Sequence, residues 1–231
     1  MDVLEMGQLR VRRVVIGAEA PDKSAPTVVL LHGFGAPGDD LVALASGLGL
    51  PTGSTCLFPE APLDLGEATG IPQYEGARAW WLIDFERMIS RVPRDLPREI
   101  PDGLDAARAN VVAMIDSLDA EKLFVGGFSQ GAMLSLDVAL HTTRPLAGVV
   151  LLSGTLIAED VWRPRMKSRA GLRVFQSHGT DDPLLPFATA ELLKDALTTA
   201  GMDVDFHSFA GGHTIPPEVL RALSVWLSSS P

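Results

Sequence analysis

Ser129 stands at the centre of Gly127-Phe128-Ser129-Gln130-Gly131, a G-x-S-x-G pentapeptide that directly follows the apolar run Lys122-Leu123-Phe124-Val125-Gly126. A serine hydroxyl is a weak nucleophile until a neighbouring base takes its proton, and that base works best when a third group orients it. The pentapeptide therefore asks for two partners. Downstream, Thr180-Asp181-Asp182-Pro183 and then Gly211-Gly212-His213 supply an acid and a histidine, giving the chain order serine, acid, histidine. Spacing alone does not separate Asp181 from Asp182, since either could be a turn residue beside Pro183. His213 follows two glycines that allow the tight loop a catalytic histidine needs, and Thr214 can support it.

Acyl transfer also needs hydrogen-bond donors where negative charge develops on the carbonyl oxygen. The backbone N–H of Gln130, next after the nucleophile, is one expected donor. Phe34, in His32-Gly33-Phe34-Gly35 after the apolar run 27–31, is the other. The same loop reads Gly33-Phe34-Gly35-Ala36-Pro37-Gly38, a G-x-G-x-x-G pattern with Glu60 further on, so a dinucleotide-binding reading competes with it. Pro37 weakens that reading by removing an N–H where phosphates would want one. His32 and His178 each precede a glycine and are expected as structural hydrogen-bonding residues rather than bases. His207 alternates within a strand pattern, and His141 ends a helix, where a cation is favourable. Trp80 and Trp81 are expected either to wall an acyl pocket or to pack in the core. No H-E-x-x-H and no paired Cys/His spacing occurs, so neither metal nor cofactor is expected.

The elements that must hold these residues follow from periodicity. Short apolar or alternating runs at residues 9–16, 27–31, 54–58, 122–125, 146–152, 172–176 and 203–209 are strand candidates. Helix-period stretches lie between them, at residues 40–47, 105–118, 130–141, 188–200 and 217–227. Strands alternating with helices imply βα units, hence a mostly parallel sheet with helices on both faces and an antiparallel start. Ser129, Asp182 and His213 each fall just past a strand candidate, where the functional groups of open α/β sheets gather. Residues 59–101 break the pattern with Pro59, Pro62, Pro72, Pro93, Pro97 and Pro101. They are expected as an excursion with one helix near residues 77–90, placed to wall or cap a pocket.

Composition bounds the rest. A chain of 231 residues that is 46% hydrophobic and 21% charged has apolar material for one large core, so residues 1–231 are expected as a single domain. A net charge of -10 argues against nucleic acid or an anionic membrane as main partner. No apolar run is long enough for stable membrane insertion, and residues 1–8 lack the apolar core of a secretory signal. The lone cysteine, Cys56, rules out an internal disulfide framework and fits a reducing, cytoplasmic setting.

Taken together, Leu31-His32-Gly33-Phe34-Gly35, Gly126-Gly127-Phe128-Ser129-Gln130-Gly131, Leu152-Ser153-Gly154, the segment from His178 to Pro186, and Gly212-His213 resemble the carboxylesterase and phospholipase group of α/β hydrolases, which includes the acyl-protein thioesterases. The resemblance implies an α/β-hydrolase fold, a Ser129, Asp182, His213 triad, and an oxyanion hole made by the N–H groups of Phe34 and Gln130. It selects Asp182 because the group's acid lies four residues after the histidine of its His-Gly pair. It further implies a cofactor-free esterase acting on small ester or lipid-like substrates of short to medium acyl chains, or a lysophospholipase or acyl-protein thioesterase. A non-catalytic binding module on the same fold is the alternative from another class. Ala132 stands where many relatives have another glycine, and residues 79–84 are spaced differently from the Trp-Phe-Asp segment of the thioesterases.

Overall fold

Extended Val, Leu and Phe runs pair side by side because each leaves its backbone groups free for a neighbouring strand while its side chains alternate between two faces. In the computed structural model, which describes residues 1–83 and 95–229, these runs form an eight-stranded sheet. Its strands are β1 (Asp2–Met6), β2 (Leu9–Val15), β3 (Thr27–Leu31), β4 (Thr55–Pro59), β7 (Leu123–Phe128), β8 (Gly148–Leu152), β9 (Arg173–Gly179) and β10 (Asp203–Phe209), and a separate hairpin pairs β5 (Leu63–Asp64) with β6 (Arg78–Ala79). The order across the large sheet is β1-β2-β4-β3-β7-β8-β9-β10, antiparallel between β1, β2 and β4 and parallel from there on.

Among the described residues the α-helices are α1 (Leu65–Thr69), α2 (Leu104–Asp116), α3 (Gln130–His141), α4 (Glu159–Met166), α5 (Phe187–Thr199) and α6 (Pro217–Ser228). Alternation along the strands feeds two cores. Val29, Leu31, Val125, Val149 and Val174 pack with α2 to α5 on one face, while Val28, Leu30, Phe124, Val150 and Phe175 pack with α6 and the turn at Val42–Gly47 on the other. This is the mostly parallel sheet, covered on both faces, that the alternating pattern predicts.

Several elements differ from the sequence expectation. Residues 42–47 form a 3-10 turn rather than an α-helix. Residues 77–83 are not helical: β6 occupies Arg78–Ala79, and Arg78 also bridges the backbone of Ala36. The remainder of the expected helix at 77–90 lies outside the described residues. Backbone partners from the hairpin and from residues 35 and 36 outcompete helical hydrogen bonds there. Finally, β1 and α4 were not expected at all, the first because it is mostly exposed and the second because Pro164 sits inside it.

Candidate active site

β7 ends at Phe128 and α3 begins at Gln130, so Ser129 is the single residue between a strand and a helix. Its backbone takes φ 55° and ψ -117°, a conformation that costs a non-glycine residue strain and lifts its side chain out of the turn. The turn is anchored by the Ser129 N–H donating to Leu152 O at 2.8 Å, and the Ser129 carbonyl accepts from Ala132 and Met133 at the head of α3. α3 can lie this close to β3 only because residue 131 is glycine: a side chain there would collide with the carbonyls of Leu31 and His32.

Asp182 and His213 come together from two other loops. The loop after β9 places Asp182, whose carboxylate is buried. Its Oδ1 accepts the backbone N–H groups of Leu184 at 2.9 Å and Leu185 at 3.0 Å, while Oδ2 lies 2.6 Å from His213 Nδ1. Oδ2 also lies 3.3 Å from Nε2 of the buried His178, which donates to Leu185 O at 2.9 Å. Burial opposes ionisation of Asp182, but the bonds from His178, His213, Leu185 and Leu184 outweigh it and hold the carboxyl well below the usual carboxylate range. Asp181, by contrast, is exposed and meets the Thr180 hydroxyl at 3.2 Å. His213 follows β10, and its ring stands 4.8 Å from that of Phe128, the residue before Ser129. The structure thus gathers Ser129, Asp182 and His213 at the carboxyl ends of β7, β9 and β10, and it leaves Asp181 outside.

The loop after β3 lies against the serine. A Cβ added to Gly33 would sit 3.4 Å from Ser129 Cβ, which puts the Gly33-Phe34 loop beside that serine. Gln130 opens α3, where an N–H has no acceptor within the helix. Its buried side chain is used as well: Oε1 accepts from Trp80 N at 3.0 Å and Nε2 donates to Trp81 O at 2.9 Å. Trp80 is buried, and its indole N–H donates to His32 O at 3.0 Å. Trp81 is buried in the same core and also lines a cavity of about 370 Å³ with Ile83, Leu96, Met133, Ile157 and Leu184. That cavity borders both the first turn of α3 and the loop carrying Asp182. The glycine-rich loop leads into the 3-10 turn at Val42–Gly47, so it lacks the α-helix N-terminus on which a pyrophosphate would rest.

Two buried carboxylates hold roles the sequence reading did not assign: Glu60 entered it only as the acid of the dinucleotide alternative, and Asp137 not at all. Glu60 ties Arg12 at 3.0 Å and Arg78 at 3.1 Å, and Arg12 also donates to Gly38 O at 3.1 Å, which pins the far end of the glycine-rich loop. Asp137 on α3 accepts from Trp162 Nε1 at 2.7 Å and from Arg108 at 2.8 Å. In each case the signal was an acid next to an unbroken apolar run, Leu57-Phe58-Pro59 before Glu60 and Val138-Ala139-Leu140 after Asp137.

A mostly parallel sheet covered on both faces, with a strained serine between strand and helix and a paired acid and histidine on neighbouring strand-end loops, defines the α/β-hydrolase class. Residues 13–230 match the family model described as phospholipase/carboxylesterase, and the chain belongs to that family of ester hydrolases. It is similar to acyl-protein thioesterase 1 of Mycosarcoma maydis, 35% identical over 48% of either chain, so that match spans about half of the relative's length. The likeness to acyl-protein thioesterase 1 of Debaryomyces hansenii is 29% identity over 93% of this chain and 94% of that one. The crystal structure of esterase PE8 is 27% identical, covers 96% of this chain and 99% of its own, and superposes with a TM-score of 0.75. Among the described residues no helix is long and apolar enough to cross a membrane, and no group of three or more His, Cys, Asp or Glu could hold a metal ion.

Proposed function

We propose that this protein is a serine carboxylesterase that hydrolyses esters of short to medium acyl chains through an acyl-enzyme. The observation that carries the reading is the 2.6 Å contact between His213 Nδ1 and a buried, ionised Asp182, next to a serine held in an elbow. Nδ1 donates to the carboxylate, so the other ring nitrogen is left to take the Ser129 proton. Ser129 Oγ then forms a bond to the ester carbonyl carbon, and the N–H groups of Phe34 and Gln130 hold the oxyanion. Collapse of that intermediate breaks the bond to the alcohol oxygen, which leaves with the proton from His213. Water, deprotonated by the same imidazole, attacks the acyl-enzyme and releases the carboxylic acid and free serine. The apolar cavity beside Trp81 supports an acyl chain as the group bound, and the whole chain 1–231 acts as one hydrolase domain of the cytoplasm.

A second reading, acyl-protein thioesterase, is favoured by the likeness to the acyl-protein thioesterases, and a lysophospholipase is its variant within the phospholipase/carboxylesterase family. Fluorophosphonate labelling tests the nucleophile: wild-type protein is labelled at Ser129, and Ser129→Ala loses both the label and roughly 10⁴ to 10⁶ in kcat. Full labelling or activity in that variant would sink the reading. A series of p-nitrophenyl esters, run beside lysophosphatidylcholine and a palmitoyl thioester, ranks the substrate classes, and a kcat/KM highest on the thioester would favour the second reading.

A further inference from the structure

We infer that His32 is a positioning residue for the oxyanion: its imidazole fixes the Gly33–Phe34 peptide plane and with it the direction of the Phe34 N–H. The inference rests on the reading of Phe34 as an oxyanion donor. His32 is buried, and both of its ring nitrogens are occupied. Nδ1 lies 2.7 Å from Gly33 O, and Nε2 lies 3.0 Å from the Ala61 backbone nitrogen.

These partners define the tautomer. A backbone N–H can only donate, so Nε2 must accept from Ala61; a carbonyl can only accept, so Nδ1 must carry the proton. Burial pushes the imidazole's pKa down, against the raising effects of the Gly33 carbonyl, Asp40 and Glu60 and with that of Arg78, which favours the neutral ring this arrangement needs. A ring with both nitrogens so engaged has none left to act as a base.

The consequence follows from peptide geometry. Gly33 C=O and Phe34 N–H belong to one planar unit, and in a trans peptide they point in opposite directions. Holding the carbonyl with the His32 proton therefore aims the Phe34 N–H the other way. The loop is soft enough to need such a hold, because glycines flank Phe34 on both sides. The His32 ring is in turn wedged by Trp80, whose ring centroid is 5.4 Å away and whose indole N–H holds the His32 carbonyl. Ala61 follows Glu60, so the arginine-bound carboxylate fixes the far partner of the same ring.

Two substitutions separate orientation from mere packing. In His32→Asn the side-chain amide nitrogen is as many bonds from Cβ as Nδ1, so it can still donate to Gly33 O while the Ala61 bond is lost. In His32→Gln the polar atoms are as far along the chain as Nε2, so the Ala61 bond can be kept while the Gly33 bond is lost. With p-nitrophenyl butyrate, His32→Gln is expected to lose ~10- to 100-fold in kcat with little change in KM, and His32→Asn to recover to within about tenfold of wild type. Equal losses in the two variants that follow their melting temperatures would overturn the inference and leave His32 a packing residue. Ser129→Ala run alongside separates the two levels: an active Ser129→Ala defeats the esterase reading, whereas an inactive Ser129→Ala with wild-type kcat in His32→Gln defeats only this inference. If His32→Gln does not fold, ¹⁵N NMR of the wild-type ring decides. A proton on Nδ1 is expected, and a proton on Nε2 overturns it.

Discussion

Asp182 receives two imidazoles on one carboxylate oxygen and two backbone N–H groups on the other, whereas Asp181, its neighbour in sequence, meets the Thr180 hydroxyl at the surface. That difference supports Asp182 over Asp181 as the proposed acid, a pair that spacing left equivalent. Asp182→Asn is therefore expected to lower kcat by about 10⁴, because the amide no longer holds the imidazole in its reactive tautomer, while Asp181→Asn stays within about twofold. An inactive Asp181→Asn in ester turnover assays would reverse the assignment. The same contacts set a pH dependence. A carboxyl whose folded pKa is depressed contributes stability that is fully present above its unfolded value and is lost only as pH falls through the folded one. Thermal melts should show a gap between wild type and Asp182→Asn that is constant from about pH 5 to pH 8 and narrows only below about pH 4. A gap that closes near neutrality would mean the carboxylate is not held as the structure has it.

At the scale of elements, α3 does two jobs: its first turn follows Ser129 directly and carries Gln130, and its middle is tied down by Asp137. That carboxylate is buried between α2 and α4, with Arg108 on one oxygen and the Trp162 indole on the other. Removing it leaves a buried indole N–H without its acceptor and Arg108 with Asp105 alone, so Asp137→Ala is expected to cost about 3 kcal/mol in urea denaturation. KM for a short ester should stay near wild type, since Asp137, Arg108 and Trp162 are not among the residues lining the cavity at Trp81. Much of this architecture was legible from alternation and helix period, which found seven strands of the large sheet and the helices around Val111, Leu134, Leu193 and Leu223. What escaped lacks a strong apolar pattern. β1 exposes Val3, α4 is polar and interrupted by Pro164, and β5 and β6 are two residues each. The site was legible where chemistry constrains residue type, at Ser129 and His213. Asp182 was selected by the resemblance rather than by spacing, and what stayed illegible is what tertiary contacts assign: the Gln130 side chain bridging Trp80 and Trp81, and the peptide held by His32.

The whole molecule offers a built-in reporter of its cohesion. Cys56 is the one cysteine of the chain, and it lies on β4 between β2 and β3, fully buried in the core that α6 covers. Burial pushes its thiol up to about 12, so at pH 8 the folded protein holds almost no thiolate. In the unfolded chain the thiol returns to about 8.5 and a substantial fraction ionises. β4 is interior to the sheet, so exposing Cys56 requires separating strands on both sides of it and lifting the turn at Val42–Gly47. That opening is close to global unfolding. Alkylation of the native protein by iodoacetamide at pH 8 is therefore expected to run at least about 10³-fold slower than in 8 M urea, and its rate should climb with urea along the global unfolding curve. If the rate is instead insensitive to urea below the transition, the thiol is reached through a local opening. The antiparallel start, β1 and β2, would then peel from β4 independently of the parallel strands that carry Ser129, Asp182 and His213.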